Sequence, residues 1–175
     1  LIKKIKAVPL SLATLIKKEV LNNTFSQYGD WDNILMISIQ NSDFAPLFKE
    51  EELKDNGRLL SLHFDDTTPK ATRNLSHLLA DKFMDSRQAD DIFEFLEDWH
   101  KDEKNNLLIV HCHAGVCRSG AIASFAQHFC DVNGYMFQAD NPNIQPNRWV
   151  EEKMYEAFCN RHPVHKKVEG IFSHG

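Results

Sequence analysis

Eleven residues, VHCHAGVCRSG from Val110 to Gly120, place two cysteines, two histidines, an arginine and a serine directly after an apolar run. Cys112 ends that run, Arg118 opens a helical pattern, and five residues that include Gly115 separate them. A loop of this kind can turn successive backbone N–H groups inward, and the helix that follows adds the positive end of its dipole. The resulting concavity, lined by the amides of His113, Ala114, Gly115, Val116, Cys117 and Arg118, suits a small, multiply charged anion. Arg118 can close over it with a planar fork matched to two phosphate oxygens, which lysine cannot reproduce. The same field stabilises Cys112 as a thiolate, because a helix N-terminus and a nearby cation depress a cysteine pKa below its free value of about 8.5.

A thiolate in an oxyanion cradle is equipped for nucleophilic displacement at phosphorus through a phosphocysteine, with the loop amides and Arg118 stabilising charge on the equatorial oxygens. Ser119 can donate a hydrogen bond to the sulfur and help it leave. His111 sits one strand position before Cys112 and therefore points to the other face, so its expected part is to fix the loop and the thiolate through hydrogen bonds rather than to act as a base. Two plainer readings compete. A zinc site could use His111, Cys112, His113 and Cys117, but consecutive residues project apart and no second ligand pair stands at finger-like spacing. An ordinary strand-to-helix turn would not need Arg and Ser at these places. Cys117 reads as a loop filler that could form a protective disulfide with Cys112 under oxidation.

The elements that must position this loop are short apolar runs alternating with helical patterns, an α/β signature. The runs IKAVPL, NILMISIQ (33–40), RLLSLHF (58–64) and NNLLIVHC (105–112) are the expected strands. The second and fourth are almost continuously apolar, as strands covered on both faces are. Ile92, Phe95, Leu96 and Trp99 stand at helical spacing after Asp85 or Ser86 as a cap, and that helix crosses back over the sheet. After the loop, Ile122, Phe125, Ala126 and Phe129 mark a second helix, with Gly134 as its expected stop. A last helix is expected from about Pro146 to Phe158, and QADNPNIQPN before it reads as a loop. The expected fold is α/β, with a central, mostly parallel sheet of four to five strands flanked by helices. One domain over residues 1–175 is expected, with a mobile tail from about residue 161.

Composition narrows the partners. The chain has 175 residues, 42% of them hydrophobic and 26% charged, the ordinary balance of a globular protein. A formal net charge of -5 supplies no general attraction for nucleic acid or acidic membranes, so an anionic substrate needs a local positive site. No apolar run approaches the ~20 residues that span a bilayer. Cys112, Cys117, Cys130 and Cys159 are unevenly placed, unlike a secreted disulfide framework, and suggest reduced thiols in the cytoplasm. The N-terminal stretch LIKKIKAVPLSLATLIKKE superficially resembles a signal peptide, but Pro9 interrupts its apolar centre and Lys17 and Lys18 close it without a small-residue cleavage site.

HCHAGVCRS resembles the His-Cys, five residues, Arg-Ser/Thr signature of the cysteine-dependent protein tyrosine phosphatase superfamily, and its strand-to-helix context is similar to compact dual-specificity-type members and their bacterial relatives. The resemblance implies Cys112 as nucleophile, Arg118 as phosphate clamp, no metal or other cofactor, and a phosphorylated protein or small phosphate monoester as substrate. It also implies a general-acid aspartate on the loop after the strand that precedes the crossover helix, here LHFDDTTPK. Asp66 is favoured for that role, with Asp65 closer to the strand and suited to organising the loop. The interval from Asp66 to Cys112 is 46 residues, longer than the roughly thirty of small members, a difference that an insertion can absorb. Asp81 and Asp85 fit the shorter interval, although Asp85 also reads as a helix cap. Asn143, Gln145 and Asn147 could line the site and orient the hydrolytic water, Asn147 serving equally well as a cap.

Phosphotyrosine or dual-specificity protein substrates are expected first. The loop interior, His113 to Cys117, carries no Lys or additional Arg, which disfavours a highly phosphorylated inositol, although a protonated His113 keeps inositol phosphates as an alternative. A phosphate-binding pseudophosphatase with a misplaced acid is a second class. Rhodanese-like sulfur transfer is a third, and it gives the Asp66 loop no task.

Overall fold

A computed structural model describes residues 2–21, 33–54, 57–68 and 82–163. In chain order the elements are β1 (Lys4–Pro9), α1 (Leu10–Leu21), β2 (Ile34–Gln40), α2 (Glu50–Lys54), β3 (Leu59–His63), α3 (Ser86–Lys101), β4 (Leu107–Cys112), α4 (Arg118–Phe129), α5 (Gly134–Asp140) and α6 (Arg148–Arg161). Four parallel strands make one sheet in the order β1-β4-β2-β3. All four expected strands are present, and the sheet flanked by helices is the expected α/β architecture.

Strand β4 lies between β1 and β2, and alternate side chains enter two separate cores. Leu108, Val110 and Cys112 join the larger core with α3, α4 and α6, while Leu107 and Ile109 join the smaller one with Ala13 and Ile16 of α1. Burial on both faces explains why β2 and β4 read as unbroken apolar runs. Chain connections diverge to either side of β4, so its C-terminal end faces a topological switch point, the usual ligand crevice of an open α/β sheet.

Helix α3 begins at a capping box in which Asp85 accepts from the Gln88 amide at 2.7 Å and the Gln88 side chain accepts from the Asp85 amide at 3.1 Å. It buries Ala89, Ile92, Phe93, Leu96 and Trp99. Phe93, rather than the expected Phe95, completes the i, i+3, i+4, i+7 stripe, and Phe95 is half-buried at its margin.

Helix α4 stops earlier than Gly134. Asp131 takes the left-handed conformation at φ 52°, the Val132 amide bonds the Gln127 carbonyl at 3.0 Å, and the Asp131 amide reaches that of His128 at 3.4 Å. That pattern is a Schellman stop, with an aspartate in the place glycine usually takes. Gly134 instead opens α5, capped by Asn133. Gln138–Asp140, expected as loop, therefore close a helix. Helix α1 had no counterpart in the sequence reading, because the Lys-rich flanks of its apolar segment mask a weakly amphipathic pattern. The expected tail beyond residue 163 and most of the expected insertion, residues 69–81, lie outside the described residues.

The edge of the sheet at β1 is closed by one side chain. Buried Asn141 accepts from the Ala7 amide at 2.7 Å and donates to the Ile5 carbonyl at 2.8 Å, mimicking the next strand. This contact fixes the segment between α5 and α6, which leads directly to the site. Among the described residues, no helix is long and apolar enough to cross a membrane.

Candidate active site

The loop from Cys112 to Arg118 leaves the C-terminal end of β4 and bends back into α4. Its outward carbonyls are engaged by neighbouring elements. The His113 carbonyl accepts from the Leu10 amide, the Val116 carbonyl from the Gln145 amide and the Cys117 carbonyl from the Asn147 amide, each at 3.1 Å. Gly115 lies at φ 74°, and a Cβ there would fall 2.5 Å from both the Val8 carbonyl carbon and the Pro9 nitrogen. Only glycine accepts that dihedral together with that closeness to β1. With the carbonyls held outward, the amides turn in. The N-terminus of α4 has no side-chain cap at Cys117, so no cap side chain takes up its first N–H groups as at the starts of α3, α5 and α6.

Cys112 is 2% exposed. Burial pushes its thiol up, but hydrogen bonds from the Ser119 hydroxyl and from the amides of Ser119, Val116 and Gly115 outweigh this and hold it below the ordinary thiol value. The Ser119 hydroxyl lies 3.2 Å from Sγ. Cys117, five positions on, shifts the other way. Burial, the Asp66 charge and a hydrogen bond to that carboxylate raise its pKa, and the nearby Cys112 adds to the rise against the opposing Arg118. One loop therefore carries a thiol whose pKa is lowered and another whose pKa is raised. None of the four cysteines forms a disulfide.

Arg118 is 2% exposed, and one terminal nitrogen, Nη1, donates to the Phe64 carbonyl at 2.7 Å. Its buried Nε has no partner. An unsatisfied buried N–H costs free energy until an acceptor arrives. A phosphoryl oxygen would satisfy it.

Residue parity on β4 separates His111 from Cys112. His111 is completely buried, and its Nε2 lies 2.7 Å from the hydroxyl of Ser38, its register partner on β2. Burial lowers its pKa to about 4; a hydrogen bond to the Cys112 carbonyl opposes the shift, and the Arg118 charge adds to it. The ring is neutral at pH 7 and ties the strand end through Ser38, with its Nδ1 only 3.5 Å from the Cys112 carbonyl. Its hydrogen bonds go to Ser38 and to that backbone oxygen rather than to the sulfur. Ser38 was missed in the sequence, although one hydroxyl in the apolar run ILMISIQ was the available signal. Among the described residues, no group of three or more His, Cys, Asp or Glu could hold a metal ion.

The two neighbouring aspartates have separate surroundings. The half-buried Asp65 carboxylate accepts from the Ser42 amide at 2.9 Å and the Ser42 hydroxyl at 3.0 Å, and the Asp65 amide donates to the Lys82 carbonyl at 2.7 Å. Asp66 is exposed and accepts from the Asn147 side-chain amide at 2.9 Å. Its contact with Cys117 places it at the rim of the cradle. Asp85 is committed to the α3 cap. Asp81 lies outside the described residues, and so does any comparison of it with Asp66. His113 and Ala114 are exposed on the loop, and Asn143 and Gln145 are exposed in the segment leading to α6.

Comparison with known proteins adds one finding to this geometry. The family model for the protein-tyrosine phosphatase domain matches residues 17–144. Neither the curated proteins nor the solved structures compared with the chain yielded a match. The matched span begins within α1 and takes in β2, β3, β4, the cradle and α4, that is, the strand-loop-helix unit together with the strand whose end carries Asp65 and Asp66. The chain belongs to the protein-tyrosine phosphatase family.

Proposed function

We propose that this phosphatase-family chain hydrolyses phosphate monoesters through a phosphocysteine, with phosphotyrosine or dual-specificity protein substrates as its preferred class. The observation that carries the mechanism is the Cys112 sulfur held by the amides of Gly115, Val116 and Ser119 and by the Ser119 hydroxyl, beside a buried Arg118 whose Nε lacks an acceptor.

In the first step the Cys112 thiolate attacks phosphorus in line, and the bond to the ester oxygen breaks. Loop amides and Arg118 hold the equatorial oxygens while Asp66 gives its proton to the departing oxygen. In the second step water attacks the phosphocysteine and passes its proton to the Asp66 carboxylate. The sulfur leaves as thiolate, stabilised by Ser119, and inorganic phosphate departs. His111 takes no proton in either step, since it is buried against Ser38 on the opposite face of the sheet. Asp65 shapes the acid loop through Ser42.

Trapping tests this reading. Cys112→Ser should abolish turnover of p-nitrophenyl phosphate and of a phosphotyrosine peptide while retaining binding of the peptide. Mass spectrometry of the quenched wild-type reaction should find phosphate on Cys112. Retained turnover in the serine variant, or persulfide in place of phosphocysteine, would refute it. Near-absent peptide turnover by the wild-type chain, with phosphopeptide binding intact, would instead mark a pseudophosphatase.

A further inference from the structure

Asn147 joins three parts of the site that are distant in sequence. Its side-chain Oδ1 accepts from the Val150 amide at 3.2 Å and so caps α6. Its Nδ2 donates to Asp66 Oδ1 at 2.9 Å. Its main-chain N–H donates to the carbonyl of Cys117, inside the cradle, at 3.1 Å. The residue lies beyond the span 17–144 that the family model matches.

The helix settles which way the amide faces. A rotated amide would set an NH2 group against the Val150 N–H, two donors facing each other, so the cap fixes the carbonyl end on α6 and the NH2 end on Asp66. Asp66 Oδ1 is thereby occupied as an acceptor. A proton on the carboxyl group then resides on Oδ2, the oxygen that Asn147 does not bond. Asp66 itself is exposed and follows β3 on a stretch without regular structure, so an untethered side chain would sample many rotamers and seldom face the cradle. The Asn147 main chain meanwhile anchors the same residue to the loop that carries the nucleophile.

We propose that Asn147 is a positioning residue: one side chain that caps α6, bonded by its own amide to the Cys117 carbonyl, holds Asp66 in register for proton transfer over Cys112. The inference rests on Asp66 being the general acid, as proposed above. It goes further in assigning the acid's alignment to an element that follows the cradle in the chain.

The test uses two variants that preserve the cap. Asn147→Ser caps comparably but is too short to reach Asp66, and Asn147→Asp keeps the size and the cap but has no side-chain N–H to donate. Both should unfold at the wild-type temperature to within a few degrees. Both should lose about tenfold in kcat on phenyl phosphate and the phosphotyrosine peptide, and far less on p-nitrophenyl phosphate, whose leaving group needs little protonation. In an Asp66→Asn background the same substitutions should cost nothing further. Equal losses on good and poor leaving groups, a loss that persists without Asp66, or no loss at all would each overturn the positioning role. Should Asp66→Asn alone show no dependence on the leaving group, the acid assignment fails and this inference falls with it. A leaving-group effect in Asp66→Asn without one in the Asn147 variants removes the inference alone.

Discussion

Cys112 and Asp66 are the two ends of the proposed proton and phosphoryl transfers, yet their surroundings differ in kind. The cradle is buried and held from many directions: the Leu10, Gln145 and Asn147 amides hold its carbonyls, Phe64 holds Arg118, and Gly115 presses against β1. The acid loop is fastened at Asp65 by Ser42 and Lys82, while Asp66 stands exposed one residue further on with the Asn147 side chain and the Cys117 thiol as partners. A group that stabilises developing charge gains from rigid, dry placement, since its dipoles need no reorganisation during the reaction. A group that must lose and regain a proton gains from contact with water. The contrast teaches that the two halves of the site should fail differently when altered.

The largest effect should come from the clamp. Arg118→Lys keeps the charge but loses the fork and the bond to Phe64, and kcat on p-nitrophenyl phosphate should fall about 10³-fold. A loss below tenfold would show that Arg118 is merely a buried counter-charge. Next, Gly115→Ala must place a methyl group into the β1 backbone at positive φ. Thermal or denaturant unfolding should register a destabilisation of about 3 kcal/mol. Wild-type stability in that variant would mean that the loop is less firmly seated on β1 than the cradle description requires.

Asp66→Asn should cost about 10²-fold in kcat on a phosphotyrosine peptide, much less on p-nitrophenyl phosphate, and almost nothing in unfolding temperature. A clear loss of stability would erase the difference between the two regions. The smallest effect concerns the two thiols. Cys112 should react with iodoacetate along a titration whose midpoint lies below that of an ordinary free thiol, with the reactive form gained as pH rises. Cys117, whose pKa is raised, should react with a midpoint above it. Peptide mapping across a pH series distinguishes them, and a reversed order would contradict the hydrogen-bond arrangement around Cys112.

Much of this molecule could be read from its residues because the informative features are local. Cys112, Gly115, Arg118 and Ser119 lie within one strand-loop-helix unit, and the periods of β4 and α4 dictate their directions. Parity likewise put His111 on the other face before its partner was known. Local signals mislead where they are ambiguous or where partners are distant. Gly134 looked like a stop, yet Asp131 ends α4, because hydrogen bonding around a left-handed residue can replace glycine. Phe93 and Phe95 are both large and apolar, and only packing against α4 and α6 selects Phe93.

The sequence by itself determined the cradle, since Cys112, the loop amides and Arg118 are brought together by a few consecutive backbone dihedrals. Tertiary structure alone decided that Ser42 holds Asp65, that Ser38 receives His111, and that Asn147 reaches both the cradle and Asp66. Each of those contacts spans 23 or more positions along the chain. Their existence depends on how strands and helices pack, and no spacing in the sequence encodes that packing directly.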